Sequence, residues 1–342
     1  MSEHIAFLFP GQGSQAVGMG ADIAAASPAA RALFERADQT LGFALSTLCF
    51  QGPEDTLKET INAQPAIVVV SLALLAALEE YLAGQNQGAV ERLRPAYVAG
   101  HSVGEYAALV ASGALDLEPA LRLVRERGRL MHEEGTVCPG GMAAVLGLEE
   151  AVLQEVCAQA TEETLASLGT QGSSHPGLGR VVIANYNAPG QIVISGEQRA
   201  LARAMELASA RGARRVVALA VSGAFHSPVM EPASAGLARS VGEAPLRDAS
   251  IPLISNISAT PITTAAAFQT ELARQIVSPV QWVKTTEFVA AQGVTTFVEI
   301  GPGQVLAGLV KRIVKGADVF NISAAADVER VGRELLARLK DE

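Results

Sequence analysis

A chain of 342 residues that is 49% hydrophobic and 18% charged is long enough to bury one large core or two modest ones. Its net charge of −9 argues against a nucleic-acid-binding surface. The apolar runs are too short or too interrupted to predict a membrane span, and the N-terminal run lacks the length and basic flank of a signal peptide, so we expect a cytoplasmic protein. Three cysteines without metal-ligand spacing predict reduced, structural thiols and no metal site.

The first predicted strand, residues 5–9, ends in a glycine loop at residues 10–15. The loop invites a dinucleotide-binding interpretation, but the third glycine of a G-x-G-x-x-G motif would fall at Ala16. Gln12 and Gln15 are more informative, because a side-chain amide beside a glycine turn can donate to an oxyanion or hold a substrate carbonyl. A loop glutamine that bonds its own backbone explains these residues equally well.

Residues 99–105 contain a Gly-x-Ser-x-Gly sequence centred on Ser102, between a predicted strand at 96–98 and a predicted helix at 106–111. This is the context of a nucleophile elbow, in which flanking glycines admit a strained turn and the serine hydroxyl projects above the sheet edge. The helix start aims backbone N–H groups, beginning with that of Val103, at an oxyanion formed on an acyl group attached to the serine. An ordinary glycine-rich turn is the alternative.

The predicted helix at 118–133 carries an arginine inside its apolar stripe. Arg127 falls at helical spacing from Leu123, Val124 and Leu130, so its side chain points toward the core. A buried guanidinium must be paired, and its planar fork suits a carboxylate. Either a protein carboxylate is that partner, which is the commoner case, or the arginine binds a carboxylate of the substrate.

Residues 137–221 are predicted to form an inserted subdomain with the β-α-β-β-α-β order of a ferredoxin-like unit. Its strands and helices are predicted, in that order, at residues 142–148, 149–163, 181–185, 191–195, 197–211 and 215–221. The stretch at 165–179, rich in Gly, Ser and Thr, is predicted to be a flexible surface loop. Residues 1–136 and 222–342 are assigned to the core domain, with further apolar elements predicted at 66–82, 251–256, 295–300 and 305–313.

His226 lies at a predicted strand-to-helix junction, because Ser227 and Pro228 have the residue types of a helix N-cap and first position. Functional side chains tend to be exposed at such junctions. His101 is expected to point away from the neighbouring Ser102 in an elbow turn, which leaves His226 as the candidate base. A purely structural histidine is the alternative.

Seven short stretches, taken together and in order, are similar to the motifs of a known enzyme family. They are GQGSQ (11–15), GHSVGEY (100–106), RG (127–128), NAPGQ (187–191), GAFHS (223–227), PVQW (279–282) and GPG (301–303). Together they resemble the malonyl-CoA:acyl carrier protein transacylases of fatty-acid and polyketide synthesis. The resemblance implies an α/β-hydrolase-like core with an inserted ferredoxin-like subdomain and a catalytic cleft between the two.

The resemblance also implies roles for individual residues. Ser102 matches the nucleophile and His226 the general base, while Gln12 and the backbone N–H of Val103 match the oxyanion hole. Arg127 matches the arginine that binds the malonyl carboxylate.

Three more positions match the family's cleft. Gln191 resembles a cleft glutamine near the active site, and Phe225 the malonyl-selecting residue, where methylmalonyl-accepting members tend to carry serine. Gln275 lies where the family uses a backbone carbonyl to orient the histidine, so its side chain need not matter. The stretches at 165–179 and 85–94 are longer than the family pattern.

The function expected from this resemblance is ping-pong transfer of a malonyl group from malonyl-CoA to phosphopantetheinylated acyl carrier protein, with no cofactor. No acid is evident as a third triad member, so a dyad oriented by a carbonyl is expected. We expect a monomer that binds neither nucleic acid nor membrane. A carrier-docking patch is sought among Lys311, Arg312 and Lys315, or on the insert at 211–215, although solvated helix faces explain both equally well. The alternatives are an acyl-thioester hydrolase on the same scaffold and a non-catalytic carrier- or dinucleotide-binding module.

Overall fold

The structure is a computed structural model that describes residues 2–85, 88–168 and 175–341. In these ranges the strands are β1 Ser2–Phe9, β2 Pro95–Gly100, β3 Gly140–Leu146, β4 Val181–Ala188, β5 Gln191–Glu197, β6 Arg215–Ala218, β7 Leu253–Ile254, β8 Pro261–Ile262, β9 Thr296–Ile300 and β10 Asp318–Ile322. The helices are α1 Ala21–Ala26, α2 Pro28–Leu41, α3 Leu45–Gln51, α4 Glu54–Lys58, α5 Thr60–Gln85, α6 Ala89–Arg92, α7 Gly104–Ala111, α8 Leu117–Val137, α9 Glu150–Leu168, α10 Gln198–Ala210, α11 Glu231–Glu243, α12 Ala265–Arg274, α13 Trp282–Ala291, α14 Val305–Ile313 and α15 Ala325–Asp341.

The core sheet has the strand order β10-β9-β1-β2-β7-β8. All neighbouring pairs are parallel except β7 and β8, which are antiparallel. In β1, Ile5, Phe7 and Phe9 pack into the main core, whereas Ala6 and Leu8 pack into a second core on the other face. A strand that is buried on both faces reads as a continuous apolar run, which explains the sequence at 5–9. The predicted α/β core is confirmed.

α5 begins earlier than the predicted helix at 66–82 and carries Pro65 in its second turn. Proline has no N–H, so the carbonyl of Ile61 cannot form its helical hydrogen bond. That carbonyl accepts instead from Arg125 Nη1 on α8, at 2.7 Å. α5 is long and apolar enough to cross a membrane by length and composition, but it is almost entirely buried inside this fold, where it packs against α2 and α8.

The inserted unit is a four-stranded antiparallel sheet in the order β4-β5-β3-β6. Numbered within the insert, this is the 2-3-1-4 order of a ferredoxin-like sheet, and α9 and α10 pack against it around a separate apolar cluster. The predicted β-α-β-β-α-β order is therefore confirmed.

Some predicted bounds of the insert were wrong. Residues 165–168 continue α9 instead of starting a loop, and the last strand ends at Ala218. Residues 169–174 of the predicted loop and 86–87 of the extended stretch lie outside the described residues. The domain bounds at 137 and 221 stay a prediction.

Backbone hydrogen bonds join the insert to the core. The N–H of Tyr186 on β4 donates to the Val280 carbonyl at 2.9 Å, and the N–H of Val280 donates to the Ala184 carbonyl at 2.8 Å. Arg312 on α14 donates to the Pro189 carbonyl of the β4–β5 hairpin at 3.0 Å. These contacts hold the inserted sheet beside the segment that follows α12, where the candidate site lies.

Candidate active site

Ser102 occupies a tight turn between β2 and α7 with a φ of 52°. The turn depends on its two glycines: a Cβ on Gly100 would lie 2.0 Å from the carbonyl carbon of Gly104, and a Cβ on Gly104 would lie 2.1 Å from the Phe9 carbonyl oxygen. The N–H of Ser102 donates to Asn256 Oδ1 at 2.8 Å, which ties the strained turn to the loop after β7. This is the geometry predicted for a nucleophile elbow.

His226 also has a left-handed backbone, with a φ of 57°. Its N–H donates to the Ile276 carbonyl at 2.9 Å, and Ser227 caps the following 3₁₀ turn as predicted, by accepting from Val229 N at 3.3 Å. The junction directs the imidazole at the serine, with Nε2 2.7 Å from Ser102 Oγ.

The protonation state of the imidazole follows from its partners. Nδ1 lies 2.9 Å from the carbonyl oxygen of Gln275 and 3.0 Å from that of Ser278. Carbonyl oxygens only accept, so Nδ1 carries the hydrogen and Nε2 accepts from the serine hydroxyl. Burial, and then the charge of Arg127, lower the pKa of His226 to about 3, so the ring is neutral at physiological pH.

Arg127 lies on α8, and its guanidinium is buried beside the serine. Nη2 donates to Ser102 Oγ at 3.0 Å and to Gln275 Oε1 at 2.9 Å, and Nη1 donates to Gln64 Oε1 at 2.7 Å. Its Nε has no hydrogen-bond partner in the described part of the chain. The sequence left open whether a protein carboxylate pairs with this arginine; its hydrogen-bond acceptors here are two amides and a hydroxyl, none of which is charged.

The side chain of Gln275 takes part in the site, which the resemblance did not require. It is 1% exposed, its Oε1 accepts from Arg127, and its Nε2 donates to the Ser102 carbonyl at 3.0 Å and to Glu105 Oε2. Gln275 therefore contacts histidine through its backbone and both serine and arginine through its side chain.

The two predicted oxyanion-hole residues lie beside the serine. Gln12 is in the loop after β1 and lines the same cavity as Ser102. Its side-chain Nε2 donates one of its two hydrogens to Thr60 Oγ1 at 3.2 Å. The backbone N–H groups of Gln12 and Val103 donate to no acceptor within residues 2–85, 88–168 and 175–341. The backbone, more than the glutamine side chain, offers free donors here.

A cavity of about 270 Å³ opens above the serine between the two units. The core contributes Gln12, Arg127 and residues of α14, and the insert contributes side chains that include Asn185 and Val193. Phe225 lines the cavity, as expected of a selectivity residue.

Two further residues were considered for this site, and the expectation for one of them, Gln191, needs correction. His101 forms no hydrogen bond with the serine but lines the same cavity, where its Nε2 lies 2.8 Å from Asn187 Oδ1. Gln191 does not line it. Gln191 begins β5 directly after the hairpin glycine, and its Oε1 accepts from Arg312 Nη1, which holds it at the junction of the insert and α14.

Sequence reasoning missed several polar residues around the dyad. Gln64 is fully buried, although it stands just before the long apolar run of α5, and that position was the available signal. Glu105, Glu271 and Asn256 are also buried, and burial, followed by the neighbouring Glu271, raises the pKa of Glu105 well above its usual range.

Comparison with known proteins agrees with this site. Residues 6–338 match the acyl transferase domain family. The chain is 42% identical over 326 residues to the malonyl CoA-acyl carrier protein transacylase of Bacillus subtilis, covering 95% of each chain. It superposes on the acyl-carrier-protein S-malonyltransferase of Bartonella henselae with a TM-score of 0.88 at 40% identity, covering 97% of this chain and 99% of the other.

A third relative was solved together with its partner. The malonyl-transacylase in complex with the acyl-carrier protein of a type II polyketide synthase matches with a TM-score of 0.86 at 35% identity, covering 97% of this chain and 99% of the other. A full-length match to one named class, by sequence and by structure, leaves no large part of the chain unexplained. The chain therefore belongs to the acyl transferase domain family and, within it, to the malonyl CoA-acyl carrier protein transacylases.

Proposed function

We propose that this protein moves a malonyl group from malonyl-CoA to the pantetheine thiol of acyl carrier protein through an acyl-Ser102 intermediate. The observation that carries the proposal is the placement of two groups on one oxygen: Ser102 Oγ lies 2.7 Å from His226 Nε2 and 3.0 Å from Arg127 Nη2. The first group activates the hydroxyl. The second is a cation suited to the free carboxylate of a malonyl group.

In the first half-reaction, His226 Nε2 takes the hydroxyl proton while Ser102 Oγ attacks the thioester carbonyl carbon. The carbon–sulfur bond breaks, and the CoA thiolate leaves with the proton from Nε2. In the second half-reaction the pantetheine thiol gives its proton to Nε2 and attacks the serine ester, and Oγ recovers the proton as it leaves. The Gln275 and Ser278 carbonyls stabilise the transient imidazolium, in place of the acid of a triad.

The oxyanion is held by the free backbone N–H groups of Val103 and Gln12. Val103 follows Ser102 directly in the chain and Gln12 lines the same cavity as Ser102, and neither N–H has to be released from another acceptor before it donates. Donors that are already oriented toward the developing charge lower the barrier without reorganisation.

Arg127 selects the substrate. In a malonyl-serine ester, one CH₂ group separates the ester carbonyl from the free carboxylate. That carboxylate is within reach of a guanidinium that already contacts Ser102 Oγ. The carboxylate would replace Ser102 Oγ as an acceptor and can use the unpartnered Nε. Fixing the acyl group in one pose favours the thiol over water as the second nucleophile.

An acyl-thioester hydrolase is the alternative for the same dyad. It would have little use for a buried guanidinium beside the nucleophile, and the relatives reported above are transacylases by name. We place the protein in the cytoplasm, where its three buried free cysteines would stay reduced. The proposed reaction needs no cofactor.

The carrier protein would dock at the cavity rim. α14 supplies Val305, Leu306 and Leu309 to the cavity lining and carries exposed Lys311 in its last turn. Lys315 follows two residues after that helix and is exposed as well. A local positive surface would attract an acidic carrier despite the negative net charge.

The mechanism predicts exchange of labelled CoA into malonyl-CoA with no carrier protein present. It also predicts parallel double-reciprocal plots when both substrates are varied. The Ser102→Ala variant should show no exchange. Intersecting plots together with absent exchange would mean direct transfer and would overturn the acyl-serine route.

A further inference from the structure

Glu105 is a buried acid in the first turn of α7, and its carboxyl group lies beneath the candidate nucleophile. It is 1% exposed. Oε1 accepts from the backbone N–H of Asn256 at 3.0 Å and from Asn256 Nδ2 at 2.9 Å, while Oε2 accepts from Gln275 Nε2. One acid therefore contacts two side-chain amides that come from distant parts of the chain.

The other end of each amide contacts the site. Asn256 Oδ1 accepts from the N–H of Ser102 at 2.8 Å, in the strained turn. Gln275 Oε1 accepts from Arg127 Nη2 at 2.9 Å. An amide that turned around would place its NH₂ group against an N–H donor in either position, and that contact would repel.

We propose that Glu105 is a positioning residue that fixes the orientation of the Asn256 and Gln275 amides, and through them the Ser102 turn and the Arg127 guanidinium. The Glu105 oxygens that face the amides accept, so each amide turns its nitrogen toward Glu105 and its oxygen toward the site. Each nitrogen also donates to a backbone carbonyl, that of Gly100 for Asn256 and that of Ser102 for Gln275, so Glu105 acts together with these two acceptors.

The neighbouring Glu271 explains how the carboxyl group of Glu105 can be buried at this position. Burial raises the pKa of both Glu105 and Glu271, and each is adjacent to the other. Two adjacent buried carboxylates repel each other, and this repulsion favours a form of the pair that keeps one proton. A proton between the two acids leaves the remaining lone pairs of Glu105 free to accept from both amides.

The inference rests on the proposed function in one respect, namely that Arg127 binds the malonyl carboxylate. Glu105→Gln is the direct test, because it changes one acceptor into a donor without changing the size of the side chain. Asn256 presents two N–H groups to Oε1, so the remaining oxygen stays there and the new NH₂ group faces Gln275. The new NH₂ group then opposes Gln275 Nε2. The Gln275 amide must either move away from residue 105 or turn, which would set its nitrogen against Arg127 and its oxygen against the Ser102 carbonyl; either change disturbs its contact with Arg127.

We expect Glu105→Gln to raise the KM for malonyl-CoA and to lower the malonyl-to-acetyl preference by about tenfold to a hundredfold, the range for losing one charge-assisted hydrogen bond. The kcat for acetyl transfer should fall less than malonyl transfer does, because an acetyl group makes no use of Arg127, although the Gln275 amide also contacts the Ser102 carbonyl. Equal losses for both acyl groups, or an unchanged preference in a folded variant, would overturn the inference.

Glu271→Gln is the matched control. Glu271 accepts from Ser255 Oγ at 2.6 Å and from the N–H of Ile257 at 3.1 Å. Ser255 Oγ already accepts from the N–H groups of Ile257 and Ser258, so the new NH₂ group disturbs the Ser255 loop. Glu271 forms these bonds with Ser255 and Ile257 and none with the side-chain amide of Asn256 or Gln275, so neither amide has to turn. This variant should keep the wild-type malonyl preference, and an equal loss of preference in it would also overturn the inference.

A second variant decides the matter if Glu105→Gln does not fold. Gln275→Leu keeps the backbone carbonyl that faces His226 but removes the amide between Glu105 and Arg127, and it should lower the malonyl preference to the same extent. Full preference in a folded Gln275→Leu would contradict the inference. The wild-type enzyme separates the two claims, because failure of wild-type protein to form a malonyl-serine adduct contradicts the proposed function itself.

Discussion

Replacing Arg127 by alanine should convert a malonyl-selective enzyme into one that no longer distinguishes malonyl from acetyl thioesters. Arg127 is 1% exposed, and its hydrogen-bond acceptors are uncharged, so its charge is available to the substrate. Removing one member of a buried, hydrogen-bonded charge pair costs about 2–5 kcal/mol. A loss of about 3 kcal/mol corresponds to a fall of about 150-fold in kcat/KM for malonyl-CoA.

Acetyl-CoA has no carboxylate, so its kcat/KM should change by less than about fivefold. The assay is the initial rate of acyl transfer to holo carrier protein from each thioester. Arg125→Ala is the matched control, because Arg125 lies on the same helix but donates to the Ile61 carbonyl and to Asn62, away from the serine. Parallel losses for malonyl and acetyl in Arg127→Ala, or the same loss of preference in Arg125→Ala, would refute the assigned role of Arg127.

Three further predictions concern the oxyanion hole, the histidine and the docking surface. Gln12→Ala keeps the backbone N–H and should lower kcat by less than about tenfold, whereas loss of a true side-chain donor would cost about 10²–10³; rapid-quench acylation rates distinguish the two. His226 has a pKa of about 3 when folded against about 6.5 when unfolded, so only the unfolded state gains a proton between these values, and stability is lost as the pH falls. From pH 7 to pH 4 the wild type should lose about 3 kcal/mol more unfolding free energy than His226→Leu in urea titrations, and equal losses would contradict the assigned pKa. Lys311→Glu with Lys315→Glu, which leaves Arg312 bound to the insert, should raise the KM for carrier protein at low salt without changing CoA exchange; an unchanged KM would exclude this surface.

Local features of the chain were predicted well because near neighbours determine them. The serine turn follows from Gly100 and Gly104, whose side chains have no room, and the orientation of His226 follows from the capping residues after it. The ferredoxin-like order of the insert was also visible, since each strand and helix has its own apolar period.

Features that depend on distant contacts were not predicted. The Gln275 side chain donates to the Ser102 carbonyl, and the two residues are 173 positions apart in the sequence, so no local sequence pattern predicts that contact. The strand predicted at 251–256 spans only Leu253–Ile254 in the structure, because the next two backbone N–H groups do not pair with a neighbouring strand. That of Ser255 donates to the Thr260 carbonyl and that of Asn256 to Glu105. Gln191 was placed in the cleft by motif resemblance alone, and its amide is held instead by Arg312.

The most direct test of the central claim is intact-protein mass spectrometry after brief incubation with malonyl-CoA. The proposed mechanism predicts one malonyl adduct that is absent in Ser102→Ala, persists in buffer and discharges onto holo carrier protein. An adduct that is absent, or that is lost to water as quickly as to carrier protein with acetyl as good a donor as malonyl, would contradict malonyl transfer through Ser102.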